Sequence, residues 1–212
     1  MYVPAHFAET RLEVLHQLIH ERSQAVLVTL GAEGLNANHV PFLLDLDEPP
    51  LGTLRAHVAR ANPMWRDFTG EVDALAIFEG PQAYITPSWY RSKEEHGKVV
   101  PTYNYITVHA YGRLRVVEDR EWLRDLVQRL TDKFETPRPQ RWKVTDAPED
   151  FIETMLGAIV GLEMPVTRLL GKWKASQNRP EADRIGVAQG LRENADDEAV
   201  AMAGLVESSS RS

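Results

Sequence analysis

Four polar runs lie in or beside stretches that pattern as β-strand: Asn36-Ala37-Asn38-His39-Val40-Pro41, Arg55 to Pro63, Pro101-Thr102-Tyr103-Asn104-Tyr105, and Gly171 to Arg179. A buried amide or imidazole without a partner costs about 1–3 kcal/mol. Such side chains are therefore solvated, engaged by irregular backbone, or turned toward a ligand. Strand-end backbone explains any one of these runs, but four of them in one barrel-like chain favour a shared pocket. His57, Arg60, Lys172, Lys174 and Arg179 are donors suited to a phosphate, which takes charge-assisted hydrogen bonds. Asn38, Asn62, Asn104, Gln177 and Asn178 carry the paired donor and acceptor ends that read a heteroaromatic edge. Trp89, Tyr90, Tyr103, Tyr105 and Trp173 supply flat surfaces, although Tyr103 and Trp173 fit core or interface packing better. A phosphate, a polar-edged ring and a stacking surface describe a mononucleotide-like cofactor. Residue types alone leave flavin, pyridoxal and nucleotide open.

Other chemistry lacks support. The sequence has no GxxxxGK[ST], GxGxxG, GxSxG or HExxH, so phosphate-loop, dinucleotide, esterase and zincin sites are not expected. His16 and His20 have the i, i+4 spacing of a metal pair, but no third ligand is near in sequence, and solvent-facing histidines are the expectation. No metal site is expected, and the paired carboxylates, mostly on helix surfaces and caps, do not make a general acid–base pair.

The elements that must position these residues follow from local pattern. Thr10 and Glu13 have capping-box spacing ahead of Leu12, Leu15, Leu18 and Ile19, which predicts a first helix. Ala25 to Leu30 and a return strand from Leu35 to Leu46 flank Gly31-Ala32-Glu33-Gly34, a hairpin turn, and Pro41 makes the return strand an edge. Asp47 to Gly52 reads as a loop, Thr53 to Val58 as a strand, and Ala59 to Arg66 as a bend or short helix. Ala74–Phe78 and Ala83–Thr86 read as two strands joined through Glu79-Gly80-Pro81, and Pro87 to Val100 as a long polar loop. Tyr105 to Val117 alternates with period two and is the best strand. A helix capped by Asp119 follows, then one opened by Asp146-Ala147-Pro148-Glu149. Glu163 to Leu170 reads as a last strand, Pro180 to Leu191 as a helix, and Ala195 onward as an acidic helix fraying into Ser208-Ser209-Ser210. About seven strands in mostly hairpin order with peripheral helices predict a mainly β, α+β fold, an antiparallel barrel or sandwich. Alternating βαβ units are missing, which argues against a doubly wound sheet.

Composition narrows the class. The chain has 212 residues, 43% hydrophobic and 26% charged, enough for a real core. Zero cysteines exclude disulfides, thiolate metal sites and a cysteine nucleophile. A net charge of −7 supplies no general attraction for nucleic acid or anionic membrane. No stretch reaches the roughly 20 apolar residues of a membrane helix. The first residues lack a basic segment followed by an apolar run, so a soluble cytoplasmic protein is expected.

Taken together, Met1 to Phe7, Ala37 to Pro41, His57 to Pro63, Gly80 to Tyr90, Val100 to Tyr105 and Gly171 to Arg179 resemble the PaiB family of bacterial negative transcriptional regulators, built on the FMN-binding split barrel. The likeness spans Met1 to about Leu191. Tyr103 departs from it, since tryptophan is expected there. The resemblance implies an antiparallel split-barrel domain over 1–191, an acidic tail over 192–212, and a homodimer holding FMN between subunits. It further implies phosphate contact by His57 and Arg60, with Asn38 and His39 on the neighbouring strand. Thr102, Asn104 and the segment Lys172 to Arg179 would close the ring end, with Asn62, Trp89 and Tyr90 completing the set.

Two functions follow from that likeness. One is an FMN-binding negative transcriptional regulator. The other is an oxidoreductase passing electrons from NAD(P)H through FMN to a small acceptor. Direct DNA binding is possible but unsupported by charge: no basic recognition helix is found, and only Arg91-Ser92-Lys93 with Lys98 forms a local patch. A third, cofactor-free reading would leave the clusters to a dimer interface.

Overall fold

The computed structural model describes residues 1–46, 50–194 and 196–208. The expected loop at Asp47–Pro49, the start of the last helix at Ala195 and the fray beyond Ser208 lie outside the described residues. Nine strands are present among the described residues, in the order β3-β2-β6-β7-β9-β5-β4, with β1 and β8 each also pairing β9. They are β1 (Ala8–Glu9), β2 (Gln24–Gly31), β3 (Gly34–Pro41), β4 (Leu43–Asp45), β5 (Thr53–Ala59), β6 (Ala74–Ile85), β7 (Thr102–Gly112), β8 (Arg115–Val117) and β9 (Ile159–Lys174). Helices are α1 (Leu12–Glu21), α2 (Met64–Asp67), α3 (Ser92–Glu95), α4 (Arg120–Glu135), α5 (Glu149–Gly157), α6 (Glu181–Glu193) and α7 (Asp197–Ser208).

The chain divides into two compact units. Unit 2 comprises His16–Phe78 and His109–Leu169. Its β2–β3 hairpin runs in register from Gln24↔Pro41 to Gly31↔Gly34. Gly34 sits at φ 111°, a left-handed conformation that a side chain would disfavour, which is why the turn closes there. β3 ends the strand order, so the missing N–H of Pro41 breaks no inner ladder. β5 lies antiparallel to β9 from Thr53↔Pro165 to Ala59↔Ile159, and β8 takes the other side of Gly161 to Glu163. The core of this unit includes Leu27, Phe42, Leu54, Phe78, Leu162 and Met164. Phe42 and Phe78 meet edge to face, 6.0 Å between centroids. Asp119 caps α4 by accepting from the Trp122 amide at 2.8 Å, and Leu123, Leu126 and Leu130 line its buried stripe.

Unit 1 comprises Met1–Leu15, Glu79–Val108 and Leu170–Ser212. Here α6 and α7 pack against each other, burying Val187, Leu191, Met202, Ala203 and Val206. Gly190 is needed for a close approach: a Cβ there would meet the Trp89 ring at 2.3 Å. Asp183 of α6 is 1% exposed and accepts from both the amide and the hydroxyl of Ser92, each at 2.9 Å, which ties the segment after β6 to that helix.

Several local expectations change. The two strands around Glu79-Gly80-Pro81 are one strand, β6, because Gly80 never enters the left-handed region and so the chain does not turn. The polar stretch from Pro87 is not a bare loop. Thr86 caps a 3-10 turn over Pro87–Trp89, α3 follows, and Tyr90 and Ser92 are buried. Asp146 does not cap α5: it closes a 3-10 turn over Val144–Asp146, and Pro148 precedes α5 with no side-chain cap. Tyr105 to Val117 is interrupted at Arg113-Leu114, giving β7 and β8. The last strand is longer than expected and runs the whole way from Ile159 to Lys174.

Candidate cofactor site

Alternation along β9 places Lys172 and Lys174 on one face of the strand. Lys172 is only 8% exposed, its Nζ donating to the Tyr2 carbonyl at 3.2 Å and lying 5.0 Å from the Tyr105 ring centroid. Lys174 Nζ donates to Thr102 Oγ1 at 2.6 Å and to the Tyr103 carbonyl, with Tyr105 again beneath it at 6.0 Å. Burial lowers the Lys174 pKa below the usual lysine range, and the charges of Lys172 and Arg179 push it the same way. Arg179 lies over the Tyr90 ring, 4.7 Å from its centroid. Among the described residues no carboxylate lies within ion-pair distance of these three cations. Three cations gathered without a carboxylate suit an anionic ligand.

The turn after β9 builds the neighbouring polar floor. Ser176 holds φ 62°, a strained position for a residue with a side chain, and Asn104 donates to its hydroxyl at 2.9 Å. Asn104 is fully buried, and its Oδ1 has no partner. An orphaned amide oxygen is an acceptor waiting for an N–H donor. Gln177 is engaged within this turn, accepting from the Ala175 amide at 2.7 Å and donating to the Trp173 carbonyl. Asn178 is exposed. Trp89 presses on α6 rather than presenting an open face. Tyr103 is not in the core: it is 53% exposed and meets Tyr84 edge to face at 6.1 Å.

The remaining expected residues belong to unit 2 and make a different kind of cluster. Arg60 donates to the Gly157 and Ile159 carbonyls at 2.9 and 3.1 Å and pairs with Glu118 at 2.6 Å. Asn62 donates to Asn38 at 2.8 Å, Asn38 donates to Asn36 at 3.0 Å, and Asn62 Oδ1 caps the Met64 amide at 3.0 Å. His39 is exposed on β3. His57, in β5, has its pKa lowered by burial and is neutral at pH 7. The patch considered for DNA is weakened as well. Arg91 pairs with Glu94 at 2.5 Å and Ser92 is buried. Sequence reading did not single out Ser176, Tyr2 or Asp183. A serine forced into left-handed backbone leaves no local signal.

A family model described as "Putative FMN-binding domain" matches residues 1–168. The chain is 33% identical over 207 residues to the "Protease synthase and sporulation protein PAI 2" of Bacillus subtilis (strain 168), covering 98% of this chain and 97% of that one. The chain belongs to the PaiB family. An uncharacterized protein of Emericella nidulans is 32% identical, over 97% of this chain and 96% of its own. Among solved structures, the flavocytochrome Anf3 from Azotobacter vinelandii superposes with a TM-score of 0.59 at 11% identity, over 81% of this chain and 72% of that one. An FAD and heme binding protein from Mycobacterium smegmatis gives 0.54 at 16% identity, over 79% and 73%. The fold of this PaiB-family chain is thus the antiparallel split barrel, and FMN is the cofactor of its domain family. The residues of unit 1 fit that group: uncompensated cations for the phosphate, an orphaned buried acceptor for a ring N–H, and exposed tyrosine rings. No helix is long and apolar enough to cross a membrane among the described residues.

Proposed function

We propose that the protein is an FMN-binding regulator of the PaiB type, a cytoplasmic homodimer that represses gene expression and whose state depends on its flavin. The observation that carries the cofactor assignment is the trio Lys172, Lys174 and Arg179 without a carboxylate. In this reading Lys172, Lys174 and Arg179 take the phosphate, and Thr102 orients Lys174. Asn104 Oδ1 accepts from the ring edge, and the exposed Tyr103 covers a ring face. His57, Arg60, Asn38, His39 and Asn62 then shape unit 2. Bound flavin supplies reversible electron transfer, and the protein supplies its orientation and surroundings. The regulatory half rests on kinship with the Bacillus subtilis protein, whose name ties it to protease synthesis and sporulation.

Flavin fluorescence quenching with FMN and with riboflavin tests the assignment. FMN is expected to bind at least tenfold more tightly, since only it carries the phosphate. Equal affinities would remove the anion site. Sedimentation checks the dimer. Reduction of the bound flavin by NADH with turnover of an acceptor would move the protein to the oxidoreductase alternative.

A further inference from the structure

A carboxylate stands beside the cations of unit 1 and is kept from them. Asp183 lies in the first turn of α6, four residues after Arg179, where the helix N-terminus favours negative charge. The charges of Arg179 and Asp183 both act on the Tyr90 hydroxyl, so the two groups flank one phenol. Yet they make no ion pair with each other.

Ser92 is the reason. Its amide donates to Asp183 Oδ1 and its hydroxyl to Oδ2, each at 2.9 Å, so both carboxylate oxygens are engaged. Ser92 is held there by packing. Asp183, Gly186 and Gly190, at i, i+3 and i+7, share one face of α6. A Cβ at Gly186 would meet the Trp89 carbonyl at 2.0 Å, and Gly190 seats the Trp89 ring. That close contact fixes where Tyr90 and Ser92 fall. Tyr90 is 2% exposed, its hydroxyl has no partner among the described residues, and Arg179 lies over its ring. A buried phenol whose polar end is unpartnered is placed for its ring, and here the ring carries the guanidinium.

We infer that Ser92 is a positioning residue: by clasping Asp183 it withholds the carboxylate from Arg179 and leaves that guanidinium open to an anionic group. The consequence for FMN rests on the proposed place of Arg179 at the phosphate. Without the Ser92 hydroxyl, Asp183 turns to Arg179, and the internal pair competes with the ligand.

Variants of the full chain, titrated with FMN and with riboflavin, test the clasp. Ser92→Ala is expected to weaken FMN at least about fivefold and to leave riboflavin within about twofold, since only the phosphate meets Arg179. Adding Asp183→Asn removes the released carboxylate, and FMN affinity is expected to return to within about twofold of the parent. Asp183→Asn alone keeps an amide to meet Ser92 and lifts a negative charge from the site, so FMN is expected to bind at least about twofold more tightly at low ionic strength. A double variant as weak as Ser92→Ala, or a Ser92→Ala protein that binds FMN like the parent, overturns the clasp. If Ser92→Ala does not fold, Asp183→Asn decides, and FMN binding that is unchanged or weaker overturns it. The NMR signal of the Arg179 Nε–H in the flavin-free protein separates this inference from the FMN reading. It is expected to move in Ser92→Ala and to return in the double variant. Full FMN affinity in Arg179→Ala would remove Arg179 from the phosphate and leave the clasp to that signal. A signal that stays in place in Ser92→Ala overturns the clasp itself.

Discussion

The arginines that pair with carboxylates in unit 2 and the cluster Lys172, Lys174 and Arg179 of unit 1 treat positive charge in opposite ways. In unit 2, Arg55 pairs with Asp45 at 2.7 Å and Glu163 at 3.2 Å, Arg129 also reaches Asp45 at 3.0 Å, Arg60 pairs with Glu118, and Arg124 with Glu149 and Glu153. These guanidinium groups are scaffold. In unit 1, Lys172, Lys174 and Arg179 meet hydroxyls, carbonyls and aromatic faces instead, with no carboxylate among the described residues. A sequence-wide charge of −7 hides this contrast completely. Where a cation goes unneutralised matters more for ligand recognition than how many cations there are.

The contrast is most directly broken by removing the unneutralised charges. Lys172→Ala with Lys174→Ala is expected to weaken FMN binding at least about 100-fold, since each hydrogen bond to a charged group contributes about 1.5–3 kcal/mol. Flavin fluorescence titration measures it, and a change below tenfold would place the phosphate elsewhere. The same site gives a pH signature. The Lys174 pKa is lowered by burial and by its cationic neighbours, so its charge is lost at lower pH than an ordinary lysine's. FMN affinity should therefore begin to fall below pH 10.5 as pH rises.

Removing a neutralised pair sharpens the other side. Asp45→Asn removes the carboxylate that Arg55 and Arg129 share, leaving Glu163 beside Arg55 and Asp125 beside Arg129, and Asp45 is only 6% exposed. The expected loss is about 2–3 kcal/mol in urea unfolding, with part of the full burial penalty screened by solvent around Arg129. FMN affinity of the folded fraction should stay within threefold.

Arg60→Ala separates the two units most sharply at a smaller cost. Its guanidinium is engaged by two carbonyls and Glu118, so its loss should destabilise the protein by about 1–2 kcal/mol. FMN affinity should change less than threefold. A loss of flavin comparable to that of the double lysine variant would show that unit 2 reads the phosphate after all.

Much of the fold was legible because it is written locally. The turn at Gly34, the Asp119 cap and the alternation of Ile106, Val108 and Ala110 each depend on neighbours a few residues away. The break between β7 and β8 and the continuity of β6 through Gly80-Pro81 were not legible, since the same residues serve a turn or an extended strand equally well. Residue types marked Lys172, Lys174 and Arg179 as cations suited to a phosphate. They could not show that Asp183, close in sequence to Arg179, is engaged by Ser92 and leaves that arginine unneutralised. Nor could they show that Arg60 is held by the carbonyls of Gly157 and Ile159, almost a hundred residues away. The pocket around His57 has the same origin: α4 and Trp142 reach it only through tertiary packing.

The smallest expected effect concerns that histidine. Burial lowers the pKa of His57, and of His109 likewise, below the ordinary value near 6.5. Between the folded pKa and 6.5 the unfolded chain therefore binds more protons than the folded one, and stability falls as pH drops through this range. Above about pH 7.5 both rings are neutral in either state and contribute no slope. The urea midpoint should thus be flat from pH 8 to 7.5 and decline from 7 to 5.5, where most carboxylates are still ionised. His57→Phe, which cannot take up a proton, should show a shallower decline with His109 supplying the rest. A decline as steep as the parent's would mean that His57 is free to protonate in the folded state. The imidazole would then be a cation without a carboxylate partner, as Lys172, Lys174 and Arg179 are.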